Sequence, residues 1–339
     1  MQKCAVLVAG GAGYIGAHTC KALARAGYTP VVIDNLVYGH EDFVRWGPLE
    51  RGDIRDAAFL DRVLETWRPR YAMHFAGFTY VGESVSDPAR YYGNNVTGSL
   101  CLLDALSRHG VEGVIFSSSC AVYGLPECLP LSEDAPKAPI NPYGRTKLVV
   151  EEALADYGRA YGLKWVALRY FNAAGSSPEG EIGESHDPET HAIPLAIQAA
   201  LGLGPGFRIF GTDYPTPDGT AIRDYVHVCD LADAHLRAMD YLCAGGSSGA
   251  FNLSTGRGVS VLELLNAVEK ATGHPVPVTP GPRREGDPAA LYAMAEKART
   301  VLGWQPRYLD IVDMVATAVP WFAKDREPEA IRHTGQARR

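Results

Sequence analysis

Short apolar segments alternate with helical patterns through the first half of the chain. Five of the apolar segments predict strands, namely CAVLVAG, PVVIDN, YAMHFAG, GVIFSSS and KWVALRYFN. Each is apolar throughout instead of alternating between apolar and polar residues, which is typical of parallel strands buried on both faces of a sheet. Because candidate helices lie between the strands, the pattern predicts an α/β domain with a doubly wound parallel sheet.

A long helix is predicted to begin at NPYGRTK, residues 141–147. Asn141 can cap it, and Pro142 suits the first helical position, where no N–H donor is needed. Further residues recur at steps of three and four on one inward-facing stripe: Val150, Leu154, Tyr157 and Tyr161. The same stripe, continued toward the N-terminus, carries Lys147 and Tyr143. Lys147 therefore either extends to solvent at the helix end or serves Tyr143, and the pattern alone favours neither.

The composition changes near Asn172, where the chain becomes rich in glycine, proline, serine and acidic residues. Such a segment is typical of a long loop leaving the sheet, so we place a domain boundary at roughly 172–180. Strand patterns near 223–230 and 250–255 are candidates to return to the first sheet. The predicted organisation is a first domain at 1–175, a smaller mixed α/β C-terminal lobe at 176–330 and a frayed tail at 331–339.

The overall composition favours a protein that binds small molecules. The chain has 339 residues, of which 46% are apolar and 21% charged, and its net charge is −7. This charge argues against nucleic-acid binding, which needs a basic face. The seven cysteines are odd in number and form no C-x-x-C pair, which fits reduced intracellular thiols. No apolar run approaches membrane-spanning length, so we expect a cytoplasmic protein.

A glycine-rich turn follows the first predicted strand and opens a helix, in the sequence VLVAGGAGYIG. In a Rossmann-type fold, this context predicts a dinucleotide site in which glycines allow the tight turn, the approach of the pyrophosphate and close helix packing: Gly10, Gly11, Gly13 and Gly16. Asp34 ends the second strand, where its carboxylate would accept from the ribose 2′-OH and repel a 2′-phosphate. NAD is therefore favoured over NADP. Asp53 ends a third strand, either beside adenine or as a plain turn residue.

With a nicotinamide cofactor predicted, Lys147 gains a chemical role. A tyrosine ionises near pH 10, and lowering its pKa to neutrality needs about 4 kcal/mol, which an adjacent ammonium and a cationic nicotinamide ring can supply together. Lys147 lies one helical turn from Tyr143 on the same face. Ser119 follows the strand GVIFSSS at the carboxyl edge of the sheet, where its hydroxyl can hydrogen-bond a substrate hydroxyl.

These residues resemble those of the extended short-chain dehydrogenase/reductase superfamily: Ser119, Tyr143-x-x-x-Lys147 and the glycine turn. Longer motifs are similar to the UDP-glucose 4-epimerase family over roughly residues 3–325. They include GGAGYIG, DNL, FAG, VGES, SSSCAVYG, NPYG, RYFNAAG, FGTDYPTPDGTAIRDYVHV and RREGD.

The resemblance implies a role for each matching residue. Tyr143 would be the catalytic base and acid, Lys147 would hold the nicotinamide ribose and lower the tyrosine pKa, and Ser119 would assist proton transfer. Other expected contacts to NAD are Gly10, Gly13, Tyr14, Ile15, Gly16, Asp34, Asn35, Asp53, Ile54, Phe75, Ala76, Gly77, Asn94, Ser117 and Tyr170. Besides Ser119 and Tyr143, the expected contacts to the UDP-sugar are Asn172, Phe210, Arg223, Arg284, Asp287 and Leu291.

The implied activity is interconversion of UDP-galactose and UDP-glucose through a 4-keto sugar, by an NAD-dependent isomerase that forms a homodimer. Relatives that eliminate water or CO₂ carry an acid after the serine strand, whereas this chain has Ser119-Cys120-Ala121. The alternatives are epimerisation of UDP-xylose and UDP-arabinose, or broad specificity that includes UDP-N-acetylhexosamines. Thr79 stands where the family often has lysine, which implies weaker NAD retention. Leu291 replaces a large aromatic residue that limits the sugar pocket in some relatives.

Two other classes of function are less well supported. A protein that senses NAD or a nucleotide sugar without converting it would not need Ser119, Tyr143 and Lys147 together. A metal hydrolase would use histidines of HDPETH and HVCDLADAH, but neither sequence matches a helical metal motif. We therefore expect no metal and interpret these residues as loop and helix-surface histidines: His186, His191, His227 and His235.

Overall fold

The computed structural model describes residues 4–284 and 287–324. Its strands are β1 Ala5–Ala9, β2 Thr29–Asp34, β3 Leu49–Arg51, β4 Tyr71–His74, β5 Gly113–Ser117, β6 Lys164–Arg169, β7 Asn172–Ala174, β8 Phe207–Phe210, β9 Ile222–Arg223, β10 Tyr225–His227, β11 Gly249–Asn252, β12 Val259–Ser260, β13 Val278–Gly281 and β14 Ala290–Leu291. Its α-helices are α1 Tyr14–Arg25, α2 Ala57–Trp67, α3 Val81–Ser86, α4 Pro88–Tyr91, α5 Gly98–Arg108, α6 Pro142–Tyr161, α7 Ala192–Leu201, α8 Val228–Cys243, α9 Val261–Thr272, α10 Glu296–Val301 and α11 Ile311–Ala323.

A seven-stranded parallel sheet forms the centre of the molecule, in the order β11-β6-β5-β4-β1-β2-β3. The strand order reverses beside β1, as in doubly wound folds, so the carboxyl ends of β1 and its neighbours open onto a crevice. The predicted fold class is confirmed. β11 joins the sheet beside β6, whereas β10 pairs with β7 outside it. The division into domains at 175 and 176 stays a prediction, and the predicted tail at 331–339 lies outside the described residues.

The central sheet is covered on both faces because its strands are apolar on both. In β1, Val6 and Val8 contribute to one hydrophobic cluster, while Leu7 and Ala9 contribute to the opposite one. The first cluster is closed by α1 and α8, and the second by α2, α5 and α6. This two-sided burial explains why the strand segments contain no alternating polar residues.

A third hydrophobic cluster supports the C-terminal lobe. It is formed largely by α7, α9 and α11, with buried contributions from β8 and neighbouring strands. A sheet of three short strands, in the order β12-β9-β14, brings Arg223 and Leu291 next to each other in register. The lobe thereby places residues from distant parts of the chain over the edge of the central sheet.

Helix α6 begins as its sequence predicts. Asn141 Oδ1 accepts from Gly144 N at 2.8 Å, Pro142 occupies the first turn, and Gly162 ends the helix at φ +75°. Val150 and Leu154 are buried, but the prediction that Tyr161 faces inward is wrong, since it is 68% exposed. Tyr157, one turn earlier, still packs against the second hydrophobic cluster, so the stripe loses contact with the core only at Tyr161, the last residue of α6.

Two further features concern the cysteines and the length of the helices. No disulfide joins the seven cysteines, all of which lie within the described ranges. Within residues 4–284 and 287–324, none of the helices combines the length and the apolarity that crossing a membrane requires.

Candidate active site

A cavity of about 1010 Å³ lies at the carboxyl edge of the central sheet, between the sheet and the C-terminal lobe. The glycine turn after β1 and the ends of β2, β4, β5 and β6 form its floor, and residues of 172–291 form its other wall. In open α/β sheets this is the position where ligands bind. The size of the cavity exceeds what a single small metabolite needs and suits an extended cofactor beside a substrate.

The glycine turn leaves room for backbone groups that side chains would block. Gly10 has φ +80°, and a Cβ there would lie 2.5 Å from Ala76 N. A Cβ at Gly16 would lie 2.2 Å from Gly10 O, so α1 and β1 pack closely. Gly13, in contrast, lines the cavity, and a Cβ there would have no protein atom nearer than Gly10 O at 3.5 Å. The turn therefore fits a dinucleotide pyrophosphate at the start of α1.

Asp34 lies at the end of β2 on the cavity wall. Its carboxylate accepts from Ala12 N at 3.1 Å and from Leu36 N at 2.9 Å. Burial raises the pKa of this carboxyl, while the two backbone hydrogen bonds act in the opposite direction. The carboxylate is thus fixed in position by the turn that it borders.

Asp53 is engaged by neighbouring side chains. Arg55 Nη2 donates to Asp53 Oδ2 at 2.7 Å, and Asn35 Nδ2 donates to the same oxygen at 3.1 Å. The Arg55 hydrogen bonds lower the pKa of Asp53. Asn35 and Ile54 line the cavity, whereas Asp53 is not part of its lining. Its predicted contact with adenine therefore stays a prediction.

Tyr143, Ser119 and Lys147 come together at the start of α6. Tyr143 and Ser119 both line the cavity, and the Ser119 side chain lowers the pKa of the Tyr143 hydroxyl. Lys147 is only 4% exposed, and its Nζ lies 5.9 Å from the centre of the Tyr143 ring and donates to Ser117 O at 2.8 Å. The sequence left two positions open for Lys147, and the structure places it inward, beside Tyr143.

The protonation of this group is governed by burial. Burial raises the pKa of Tyr143, because a phenolate loses hydration there, while the hydrogen bond with Ser119 lowers it. Burial also lowers the pKa of Lys147 to about 8, against an opposing effect of Glu151. The net direction at Tyr143 is opposite to the lowering that the sequence reasoning required, so its activation needs additional positive charge at the site.

A buried ion pair that sequence reasoning missed lies behind Lys147. Glu151 accepts from Arg169 Nε at 2.9 Å and Arg169 Nη2 at 2.5 Å, and from Ser118 Oγ at 2.5 Å. Both charged side chains are nearly inaccessible. Glu151 follows Lys147 by one helical turn, a spacing from which the sequence could have predicted a contact between the two side chains. The position of Arg169 could not be predicted in this way, because it depends on β6 pairing with β5. The pair joins α6 to the end of β6, and the Ser118 hydrogen bond joins α6 to the residue before Ser119.

The remaining predicted cofactor residues also border the cavity. The hydroxyls of Ser117 and Tyr170 are hydrogen bonded to each other. Asn94 is 6% exposed and donates to Asn95 Oδ1 at 3.0 Å. The sequence analysis missed Asn95, which also accepts from Phe78 N at 2.8 Å and shapes the loop after β4. The other predicted cofactor residues on the cavity are Tyr14, Ile15, Phe75, Ala76 and Gly77.

The predicted UDP-sugar residues lie on the opposite wall. Arg223 forms an ion pair with Asp287, and the guanidinium of Arg284 lies 3.9 Å from the centre of the Phe210 ring. Asn172 donates from Nδ2 to Asp224 O at 2.9 Å. All but Phe210 line the cavity; Phe210 supports Arg284 from behind.

The histidines differ from the prediction in part. His227 and His235 are fully buried, so their interpretation as surface residues is wrong. The face of α8 that carries His235 packs on the sheet, where its ring lies 4.6 Å from that of Phe75. Burial lowers the pKa of His227 to about 3 and that of His235 to about 4. His186 and His191 lie in the loop before α7, on the cavity wall.

Comparison with known proteins agrees with the fold and the cavity. Residues 6–254 match the NAD dependent epimerase/dehydratase family, and the chain belongs to this family. It is 57% identical to the UDP-glucose 4-epimerase of Rhizobium meliloti (strain 1021) over 324 residues, which cover 96% of this chain and 98% of that protein. It is 50% identical to the UDP-glucose 4-epimerase of Lacticaseibacillus casei over 327 residues, which cover 96% and 98%.

Two solved structures extend the comparison. The UDP-glucose 4-epimerase from Brucella ovis in complex with NAD superposes with a TM-score of 0.93 at 53% identity, covering 94% of this chain and 98% of that one. The UDP-glucose-4-epimerase from Stenotrophomonas maltophila, with bound NAD and formylated UDP-arabinopyranose, superposes with a TM-score of 0.92 at 40% identity. The match covers 95% of this chain and 99% of that one. The family resemblance inferred from the motifs is thereby confirmed.

Proposed function

We propose that this chain is an NAD-dependent isomerase that interconverts UDP-galactose and UDP-glucose through a 4-keto sugar. The observation that carries the proposal is that Ser119, Tyr143 and Lys147 line the same edge of a cavity that begins at a dinucleotide-type glycine turn, with the Lys147 ammonium 5.9 Å from the centre of the Tyr143 ring. The relatives named above bear the same activity in their names.

The cofactor chemistry follows from the cavity. When bound, NAD would supply the hydride acceptor and, once reduced, the hydride donor that oxidation and re-reduction at C4 of the sugar require. Gly13 and the start of α1 would receive the pyrophosphate, Asp34 the adenosine ribose, and Lys147 the nicotinamide ribose. The open backbone at Gly13 supports this placement.

The protein supplies the proton transfers. Tyr143 takes the proton of the sugar 4-OH as the carbonyl forms and donates it back when the carbonyl is reduced. Ser119 orients the hydroxyl that Tyr143 deprotonates. The Lys147 ammonium stabilises the phenolate, which burial alone disfavours. Neither Cys120 nor Ala121 offers a carboxylate that protonates a leaving hydroxyl, so the chemistry of these residues favours epimerisation over elimination.

The nucleotide end of the substrate is proposed to bind beside two arginines on the opposite wall of the cavity. The guanidinium groups of Arg223 and Arg284 suit a diphosphate, because planar donor pairs match phosphate oxygens. Asp287 pairs with Arg223 and can also accept from a ribose hydroxyl. These groups hold UDP while leaving the sugar free of directional bonds, which it needs in order to present both faces of C4.

The sugar preference depends on Leu291, which lines the cavity in the register position next to Arg223. We predict that kcat/KM is highest for the UDP-glucose/UDP-galactose pair, with UDP-xylose/UDP-arabinose as the rival and N-acetylated sugars permitted by the leucine. The measurement is the separation and quantification of products after incubation with each pair of UDP-sugars.

The variant Leu291→Tyr should lower kcat/KM for the N-acetylated pair by about tenfold while leaving kcat/KM for the hexose pair unchanged. A tenfold preference of the unaltered chain for the pentose pair would contradict the assignment.

Cofactor choice gives a second prediction. NAD should bind at least about tenfold more tightly than NADP in a fluorescence titration, since the fixed Asp34 carboxylate would repel a 2′-phosphate. The variant Asp34→Asn keeps the shape of the side chain and removes its charge, so it should reduce the difference in affinity between NAD and NADP. Equal or tighter binding of NADP by the unaltered chain is the outcome that rejects this role of Asp34. The experiment also measures how well NAD is retained with Thr79 on the cavity wall.

The proposal includes a homodimer. Helix α6 carries half-buried or exposed residues spaced about one turn apart along one ridge: Val149, Ala153, Tyr157 and Tyr161. Such a ridge suits packing against a symmetry-related helix. Multi-angle light scattering should give twice the mass of one chain, and a monomer at all concentrations would rule the dimer out.

The proposed location of the protein in the cell rests on its cysteine thiols. Seven cysteines without a disulfide suit a reducing environment, so we place the protein in the cytoplasm. Fractionation of the source cells tests this placement. Recovery of the protein from an oxidising compartment would contradict it.

A further inference from the structure

Four potential metal ligands converge in the loop that precedes α7. They are Glu184, His186, Glu189 and His191, and one ligand atom from each lies within 4.8 Å of the others. Glu184, His186 and His191 line the wall of the large cavity, in the segment between β7 and α7. The sequence predicts no metal, since neither histidine segment matches a helical metal motif.

The side chains of this cluster meet at a few closely spaced nitrogen and oxygen atoms. His191 Nδ1 lies 2.7 Å from Glu184 Oε1 and 2.9 Å from Glu189 Oε1. His186 Nδ1 lies 3.2 Å from the same Glu184 oxygen. A ring nitrogen carries at most one hydrogen, yet the His191 nitrogen faces two carboxylate oxygens. Donor atoms that crowd around one point in this way are suited to a shared cation.

A second observation comes from Tyr80, on the side of the cofactor domain. Its ring lies 5.9 Å from that of His186 and 6.5 Å from that of His191. Tyr80 is 7% exposed, and within the described ranges its hydroxyl has no hydrogen-bond partner. A buried hydroxyl without a partner is costly, and a water bound to a metal at the cluster would provide an acceptor.

We propose that Glu184, His186, Glu189 and His191 bind one divalent transition-metal ion, with Zn²⁺ the preferred occupant. Two imidazoles and two carboxylates form a nitrogen and oxygen set that Zn²⁺ accepts in tetrahedral geometry, whereas Mg²⁺ and Ca²⁺ prefer oxygen ligands. Two carboxylates also balance a charge of +2 when both imidazoles are neutral. The ligands span only eight residues, so the ion would close the loop on itself.

The site is structural and not catalytic. The loop is already tied to both parts of the molecule, since Trp321 Nε1 donates to Glu184 O at 2.8 Å and a ring nitrogen of His40 lies 2.6 Å from Ser185 O. A bound ion would fix the loop between these two contacts and so fix one wall of the cavity. The cluster's alternative state, a set of ion pairs with protonated histidines, binds no metal.

The experiment measures metal content and affinity on full-length protein made without an affinity tag. After dialysis against metal-free buffer, the protein is titrated with Zn²⁺ against a chromophoric chelator, and separately with Co²⁺ and Mg²⁺. The unaltered chain should bind about one equivalent of Zn²⁺, and Co²⁺ should give the visible absorption of a tetrahedral site. Mg²⁺ should not compete.

Variants assign the site. The double variant His186→Gln/His191→Gln should weaken Zn²⁺ binding by more than about a hundredfold and abolish the Co²⁺ absorption. His109→Gln is the matched control, because His109 also faces a carboxylate, Asp61, at 2.9 Å, but far from the loop. It should keep the site intact. Glu189→Gln serves as a second test if the double variant does not fold.

Several outcomes would overturn the proposal. They are substoichiometric Zn²⁺ in the unaltered chain, equal binding by the double and control variants, or an octahedral Co²⁺ spectrum without nitrogen ligands. Because these readouts need no turnover, the proposal can fail while the assignment of the epimerase reaction stands, and the reverse also holds.

Discussion

Replacement of Tyr143 by phenylalanine is expected to lower kcat by about 10²–10⁴-fold, the usual contribution of a positioned acid–base group. The variant keeps the half-buried ring at the start of α6 and removes only the hydroxyl, whose pKa the Ser119 side chain lowers. The reason is that this hydroxyl is proposed to carry the proton in both directions, from the sugar 4-OH and back to it. Initial rates with UDP-galactose measure the effect.

Two controls separate proton transfer from general damage. UDP affinity, measured by calorimetry, should be unchanged in Tyr143→Phe, because Arg223 and Arg284 on the opposite wall are proposed to hold the nucleotide. Tyr161→Phe removes a hydroxyl from the exposed end of the same helix and should leave kcat unaltered. If Tyr143→Phe turns over at the rate of the unaltered chain, the catalytic role assigned to this tyrosine is wrong.

Replacement of Glu151 by glutamine is expected to lower the free energy of unfolding by about 3–5 kcal/mol. The substitution retains the shape but leaves the Arg169 guanidinium, 3% exposed, without a counter-charge. The Lys147 ammonium, which Glu151 also stabilises, would lose the same support. Urea unfolding followed by circular dichroism gives the difference.

The matched control is Glu112→Gln, which breaks another bidentate pair. Arg70 donates to Glu112 at 2.6 and 2.7 Å, but the two side chains are 62% and 46% exposed. Exposed pairs contribute about 0–1 kcal/mol, so this variant should unfold almost as the unaltered chain does. Equal losses in the two variants would show that burial does not govern the contribution of Glu151.

The parts of the fold that local sequence encodes were predictable. The apolar strand segments, the glycine turn and the Asn141 cap depend on residues close together in the chain, and all three occur where the patterns place them. The family resemblance added the activity, which periodicity and spacing do not reveal.

The parts that depend on tertiary contacts were not predictable. Arg169 meets Glu151 only because β6 pairs with β5, and nothing local marks His235 as buried under the sheet. Tyr161 continues the apolar stripe of α6 but extends past the core. Neither the order of strands nor the length of a helix relative to the sheet can be derived from a single stretch of residues. The convergence of Glu184, His186, Glu189 and His191 likewise required the loop's conformation.

The most direct test of the central claim uses UDP-galactose that carries deuterium at C4, incubated with the protein and NAD and followed by NMR. Epimerisation through a 4-keto sugar predicts UDP-glucose in which the deuterium remains at C4, because the hydrogen removed from that carbon returns to it from the other side. Tyr143→Phe should form this product at least about 10²-fold more slowly. Recovery of unconverted UDP-galactose, or of UDP-glucose whose C4 deuterium has been replaced by solvent hydrogen, would contradict the proposed reaction.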